Sequence, residues 1–234
     1  MVSLRDTQVG PHPSVAAIPV NARAQRDPTV SFVDASGDPS DLAVLVARGA
    51  DAAPLLYAIA ARRWVRPASI PRASSVSSLA RLDDESWLVT GRSSETGGFV
   101  LRYRPLMWQV ERAAAPKARA YLASAGQPEL ALSVVVGSQG NTVRLDGDEL
   151  LSSVVDGDPD LSAVGLDAAG RAWAASLGKL WLQRPDDPVW TQVWTDANWQ
   201  VPFISVFADI GRVIAMTADG GILEGRLETV GGGH

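Results

Sequence analysis

An all-β fold built from five copies of one four-stranded unit is what this sequence predicts, and three observations predict it. Short β-prone runs recur in a fixed order about every 43 residues. Turn residues recur between them at the same offsets, Asp167 and Asp209 lying 42 apart and Gly170 and Gly211 41 apart. Tryptophan keeps the same period, since Trp87 stands two repeats of 43 before Trp173. Four strands in a unit of about 40–45 residues make one blade of a β-propeller, in which each blade buries its faces against its neighbours.

The units begin near Thr29, Ser74, Ala118, Leu161 and Pro202, at spacings of 45, 44, 43 and 41 residues. Blades are therefore expected at 29–73, 74–117, 118–160, 161–201 and 202–230, within a single domain over 1–230. The first reads TVSFVDASGDPSD, LAVLVARGAD, APLLYAIAARR, WVRPA. Its run Pro54–Arg63 has Leu55, Leu56, Ile59 and Ala60 at helical spacing too, but the repeat register predicts a strand. The second unit is SSLARLDDE, SWLVTGRSSET, GGFVLRYRPL, MWQVERA, and the third ARAYLASAGQPE, LALSVVVGSQ, GNTVRLDGD, ELLSSVVDG. The fourth is LSAVGLDAAG, RAWAASLG, KLWLQRPDD, PVW, followed by an insertion, TQVWTDANWQ (Thr191–Gln200), expected to open as a loop on the upper face.

The fifth unit, FISVFADIG, RVIAMTADG, GILEGRLETV, has three runs only. An unpaired sheet edge is a liability, and a propeller removes it when one terminus completes the blade begun by the other. The segment Ser14–Val20 (SVAAIPV) is expected to pair near Ile222–Leu227 and close a five-bladed ring. The alternative is a portion of a larger ring. The tail Gly231–His234 reads as a linker and the start of a purification tag.

Composition narrows the function. With 46% apolar and 20% charged residues, the chain has the material for a core and too little charge for a disordered polypeptide. A net charge of −5 with no run of Lys or Arg speaks against nucleic acid and anionic membranes as partners. No stretch of about 18 apolar residues occurs and residues 1–20 do not form a signal peptide, which favours the cytoplasm and no membrane association. A closed ring of this kind is expected to be monomeric as an isolated domain.

Leu166-Asp167-Ala168-Ala169-Gly170-Arg171-Ala172-Trp173, followed by Gly178-Lys179-Leu180-Trp181, resembles the repeat of two-component-regulator and Asp-box propellers found in bacterial proteins. Gly137–Gly147 is similar to the equivalent stretch of such repeats. The resemblance implies an Asp-x-x-Gly turn, a tryptophan strand and a Gly-led strand. In physical terms, glycines make the hairpin turns, the Asp carboxylate caps a turn, and the Trp fills the wedge between blades. WD40 repeats are disfavoured, because neither Gly-His nor Trp-Asp occurs.

The chemistry available for catalysis is sparse. The two histidines are His12 and His234, and there is no cysteine, so a Ser-His-Asp triad, a thiol nucleophile and a histidine metal cage are not expected. Paired carboxylates remain, yet the repeat register explains Asp83, Asp167 and Asp209 as one recurrent turn residue. Asp156-Gly157-Asp158-Pro159-Asp160, with Asp167 at the twelfth position, invites a calcium loop, but Leu161 replaces the required Gly and Pro159 stiffens the turn. No enzyme activity, metal or cofactor is expected.

Recognition is left. Trp87, Trp173 and Trp181 fall within second and third strands, where burial is the default, and Trp64, Trp108 and Trp190 recur in the outer strand. Trp194 and Trp199 break the period. The hairpins Arg92–Gly97, Ser138–Gly140 and Asp219–Gly221 should share the upper face with that insertion, so Arg92, Glu95, Gln139, Asp196, Asn198 and Trp199 are the candidate binding residues. A mixed polar ring around an aromatic suits a protein or peptide partner. A lectin-like glycan or small-ligand binder is the alternative, but a lectin built by repetition would repeat its binding residues, and these do not repeat.

Overall fold

The structure, a computed structural model, describes residues 30–37, 42–48, 52–58, 63–65, 74–83, 86–103 and 118–226. They form five antiparallel sheets, each a simple meander. Sheet 1 comprises β1 (Val30–Ser36), β2 (Ala43–Arg48), β3 (Ala52–Ala58) and β4 (Arg63–Val65). Sheet 2 comprises β5 (Ser74–Asp83), β6 (Ser86–Ser93) and β7 (Gly97–Tyr103). Sheet 3 holds β8 (Tyr121–Gln127), β9 (Leu132–Gly137), β10 (Asn141–Asp146) and β11 (Glu149–Val154). Sheet 4 holds β12 (Ala163–Leu166), β13 (Ala172–Ser176), β14 (Lys179–Gln183) and β15 (Trp190–Thr195). Sheet 5 is β16 (Phe203–Asp209), β17 (Arg212–Thr217) and β18 (Ile222–Arg226). No helix among the described residues is long and apolar enough to cross a membrane.

The core is divided between sheets. One apolar cluster joins sheets 1 and 2, with Leu45 against Trp87, Val89 and Phe99. A second joins sheets 2 and 3 through Leu88, Val100, Tyr121 and Val135. The third sets Val134 and Val136 against Leu166 and Trp181, and the fourth sets Trp173 and Leu182 against Phe203, Val206 and Val213. A sheet covered on both faces has no wet side, which is why β9, LSVVVG, is buried at every residue and shows no polar alternation. Sheet 5 differs. It alternates along β16 and β17, burying Val206, Ala208, Val213 and Ala215 and leaving Ile204, Phe207 and Met216 exposed, as is Ile222 on β18.

The first strands of the sheets, β1, β5, β8, β12 and β16, pack side by side in that order. They meet backbone to backbone at glycine. A Cβ at Gly126 would lie 1.6 Å from the Arg81 carbonyl oxygen, and one at Gly165 would lie 2.5 Å from that of Val206. Short polar side chains stitch the same seam: Leu79 N–H donates to Asp34 Oδ2 at 2.8 Å, Arg81 N–H to Ser36 Oγ at 2.7 Å, and Ser162 Oγ to the Phe203 carbonyl at 2.6 Å. Farther out, Arg102 spans from sheet 2 to sheet 3, donating to Asp83 at 2.8 Å and to Asp148 at 2.6 Å.

The register reading holds for Pro54–Ala58, which is strand, and for Trp87, Trp173, Trp181 and Trp190, which are buried. The expected insertion is shorter than Thr191–Gln200. Thr191–Thr195 belongs to β15, where Trp194 pairs with Leu180, so only residues 196–202 connect to sheet 5. Aligning Trp190 with Trp64 ended the strand too early; the alternation of Trp190, Gln192 and Trp194 is the β period that overrides it. Trp108, the strand expected at Ser14–Val20 and the tail Gly231–His234 lie outside the described residues.

Candidate functional site

The inner strands all begin at one end of the molecule, here the upper end, and the hairpins between second and third strands return to it. The hairpins of sheets 2, 3 and 4 are each tied to a neighbouring connection by backbone hydrogen bonds. Gly98 N–H donates to Ala118 O at 2.8 Å, Ser138 N–H to Ala120 O at 2.9 Å, Gly140 N–H to Pro159 O at 2.6 Å and Asp196 N–H to Gly178 O at 2.9 Å. Arg92, Glu95, Gln139, Asp196, Asn198 and Trp199 are thereby carried on this end, on three separate supports. No hydrogen bond joins the three supports among the described residues.

On sheet 2, Arg92 and Glu95 are exposed on the tip of the β6–β7 hairpin, whose turn is held by Glu95 N–H donating to Ser93 Oγ at 3.2 Å. Gln139 stands on the turn between β9 and β10 in a left-handed conformation, φ 57, which a non-glycine residue adopts only when its surroundings hold it there. Here the holder is Asp160, whose Oδ1 accepts the Gln139 N–H at 2.9 Å, and Asn141 Nδ2 donates to the carbonyls of Ser138 and Gln139. The Gln139 side chain is exposed. Asp160 thus shapes a turn at the upper end, while Asp167 sits at the other end of β12. Both oxygens of Asp167 are engaged there, by the N–H groups of Ala169 and Arg171 and by Arg171 Nε.

The third support is the connection 196–202. Asp196 Oδ1 accepts Asn198 N–H at 2.9 Å and so shapes the turn. Asn198 is exposed; Trp199 is half-buried. Its ring stacks on Phe203 at 5.3 Å between centroids and meets Trp194 edge-on at 5.8 Å. Its indole N–H is buried without a hydrogen-bond partner.

Between the inner strands run two cavities. The upper one, 270 Å³, is lined by Asp34, Ser78, Ser124, Ser162 and Ser205 among residues of all five inner strands. The lower one, 540 Å³, is lined by Asp34, Ser36, Gln127, Phe207 and Asp209 among others. Asp34 lines both. Its carboxylate accepts Ala35 N–H and Leu79 N–H, each at 2.8 Å. Burial raises its pKa above the ordinary value, and the two backbone hydrogen bonds oppose that rise in part. Asp34 and the serines were not among the sequence candidates. Their signal was composition, because inner strands such as SSVSSLARLD and YLASAGQ carry Ser, Ala and Gly where second strands carry Val, Leu and Trp.

No protein family profile and no curated protein matches the chain. Solved structures do resemble it. Virginiamycin B lyase from Staphylococcus aureus aligns with TM-score 0.58 at 10% identity, over 85% of this chain and 71% of that one. YCF48 from Cyanidioschyzon merolae aligns with TM-score 0.55 at 14% identity, over 86% of this chain and 68% of that one. A structure of YCF48 bound to D1 peptide aligns with TM-score 0.57 at 11% identity, over 84% of this chain and 63% of that one. Both proteins are β-propellers. This chain has a propeller-type fold.

Proposed function

We propose that the chain is a non-enzymatic recognition module that binds a protein or peptide on the upper face of a five-bladed propeller of the two-component-regulator and Asp-box type. The observation that carries this is the common placement of Arg92, Glu95, Gln139, Asp196, Asn198 and Trp199 at the upper end, on turns shaped by hydrogen bonds. A preorganised polar surface loses little entropy when a partner docks. A peptide-bound propeller among the structural neighbours supports the reading by analogy of fold. In this reading Ser14–Val20 adds the fourth strand to sheet 5, which has three strands where sheets 1, 3 and 4 have four.

The test is binding to an array of acetylated nine-residue peptides of randomised composition, with a glycan array beside it. The wild-type chain and an Arg92→Ala/Trp199→Ala double variant are compared. Peptide binding that the double variant loses by roughly tenfold or more supports the module. Binding confined to glycans would transfer the chain to the lectin-like alternative, and binding that the variant leaves unchanged would remove the upper face from consideration.

A further inference from the structure

The axial cavity has a feature that the loop surface does not explain. Among the described residues, the charged ones lining its two parts are Asp34 and Asp209, both acidic, and none is Lys, Arg or His. Asp34 is half-buried at the junction of the two, and no cation pairs with it among the described residues. Above it stands a band of hydroxyls from four different strands, Ser78, Ser124, Ser162 and Ser205. Three of these are engaged in the wall: Ser162 Oγ donates to the Phe203 carbonyl at 2.6 Å, and Ser78 Oγ shares hydrogen bonds with Thr90 at 2.6 Å and Ser124 at 2.8 Å. A hydroxyl oxygen keeps acceptor lone pairs beside the proton it donates, so the band can accept from a donor in the cavity.

An axial cavity with one carboxylate at its floor and hydroxyl acceptors on its wall is complementary to a cation that brings several donors. The Asp34 oxygens have one backbone donor each, which fixes the carboxylate plane and leaves two lone-pair sites unspent. A lysine side chain meets the requirement in shape as well, because its apolar stem passes Leu122 and Ile204 on the cavity wall while the ammonium reaches the polar floor.

We propose that the partner bound on the upper face inserts a lysine side chain into the axial cavity, where its ammonium pairs with Asp34 and is completed by the serine hydroxyls. This rests on the peptide-binding reading above and names the residue that the peptide must carry. Asp34 acts as the specificity-determining residue. The six upper-face residues hold the backbone around the insertion point and do not distinguish one central side chain from another.

The experiment uses the full chain and nine-residue acetylated peptides of randomised composition with lysine, norleucine, arginine or glutamate fixed at the centre, read by fluorescence anisotropy. Lysine peptides are expected to bind roughly tenfold or more tightly than norleucine peptides, since norleucine keeps the stem and lacks the ammonium. Asp34→Asn is expected to abolish that ratio by bringing lysine binding down to the level of norleucine. The comparison within one protein needs no variant, so a misfolded Asp34→Asn does not blunt it. Equal binding of lysine and norleucine overturns the insertion and leaves the module standing, as does a preference for arginine over lysine. Absence of binding to any peptide overturns both.

Discussion

Gly126 tests the seam that creates the axial cavity. Alanine there would place a methyl 1.6 Å from the Arg81 carbonyl oxygen and 2.7 Å from its carbonyl carbon. Carbon rests against a carbonyl oxygen at about 3.3 Å or more, so β5 and β8 must part by roughly 1.7 Å. Neither side can yield by rotating a side chain, because both atoms belong to backbone. Parting the strands stretches the Ser78–Ser124 hydrogen bond, now 2.8 Å, beyond bonding distance. Overpacking costs about 1–3 kcal/mol and the lost hydrogen bond about 1, against roughly 0.5–1 gained by removing glycine from a strand. The net expectation is about 1–3.5 kcal/mol of destabilisation. Gly147 is the control: nothing lies within 4 Å of its added Cβ, but its φ of +57 is left-handed, so Gly147→Ala should cost about 1 kcal/mol. Urea unfolding followed by tryptophan fluorescence measures both. If Gly126→Ala costs no more than Gly147→Ala, the inner strands do not meet at this point and the axial cavity is not the one described.

Other expectations follow from particular contacts. Arg102→Met keeps the apolar stem and removes the carboxylate bonds to Asp83 within sheet 2 and to Asp148 of sheet 3, which should lower stability by about 2 kcal/mol, with Arg102→Lys restoring at most half in the same unfolding assay. Asp167→Ala strips acceptors from two backbone N–H groups and from an Arg171 whose Nη2 is already buried without a partner, a loss of about 3 kcal/mol that Asp167→Asn should halve. Asp34 has a raised folded pKa, so the fold binds its proton more tightly than the unfolded chain does. Its contribution is therefore present at low pH and lost as pH rises from the ordinary 3.8 through the folded value. The unfolding midpoint of wild type minus that of Asp34→Asn should fall as pH rises above the ordinary 3.8, and a flat difference would contradict the assignment. An Ala17→Cys/Glu224→Cys pair should form a disulfide on oxidation if the N-terminal segment adds to β18; since the chain has no cysteine of its own, failure to crosslink would count directly against closure.

The repeat was legible because its physics is local. Hairpin glycines, the turn aspartate and the wedge tryptophan each meet a local requirement, so where they occur they keep a common offset, as Trp87 and Trp173 or Gly170 and Gly211 do. Asp167 capping its turn and Trp173 filling the space between sheets 4 and 5 could be read from spacing alone. Asp34 could not. Its importance comes from the meeting of five inner strands, and within its own run, VSFVDAS, it looks like one more polar residue of a half-wet strand. The same holds for Trp194, whose place in the β15 ladder is set by pairing with Leu180 rather than by the period of the repeat.

Sheet 5 shows how the two kinds of information constrain each other. Its inner-facing residues obey the repeat and bury Val206 and Ala208 against sheet 4, while its other face keeps Ile204 and Phe207 mostly exposed. Phe32, on the first inner strand, is exposed as well. Uncovered apolar residues on the first and last inner strands mark the seam where a ring either closes on itself or admits another sheet. In the proposed reading the closing strand, Ser14–Val20, comes from the 29 residues before Val30. A seam completed by the N-terminus would also make the axial cavity depend on it, since β1 supplies Asp34. The residue proposed to read the partner would then sit on the strand that the closing segment runs into, and any loosening of the closure would be felt first as a loss of lysine discrimination, before the rest of the fold gives way.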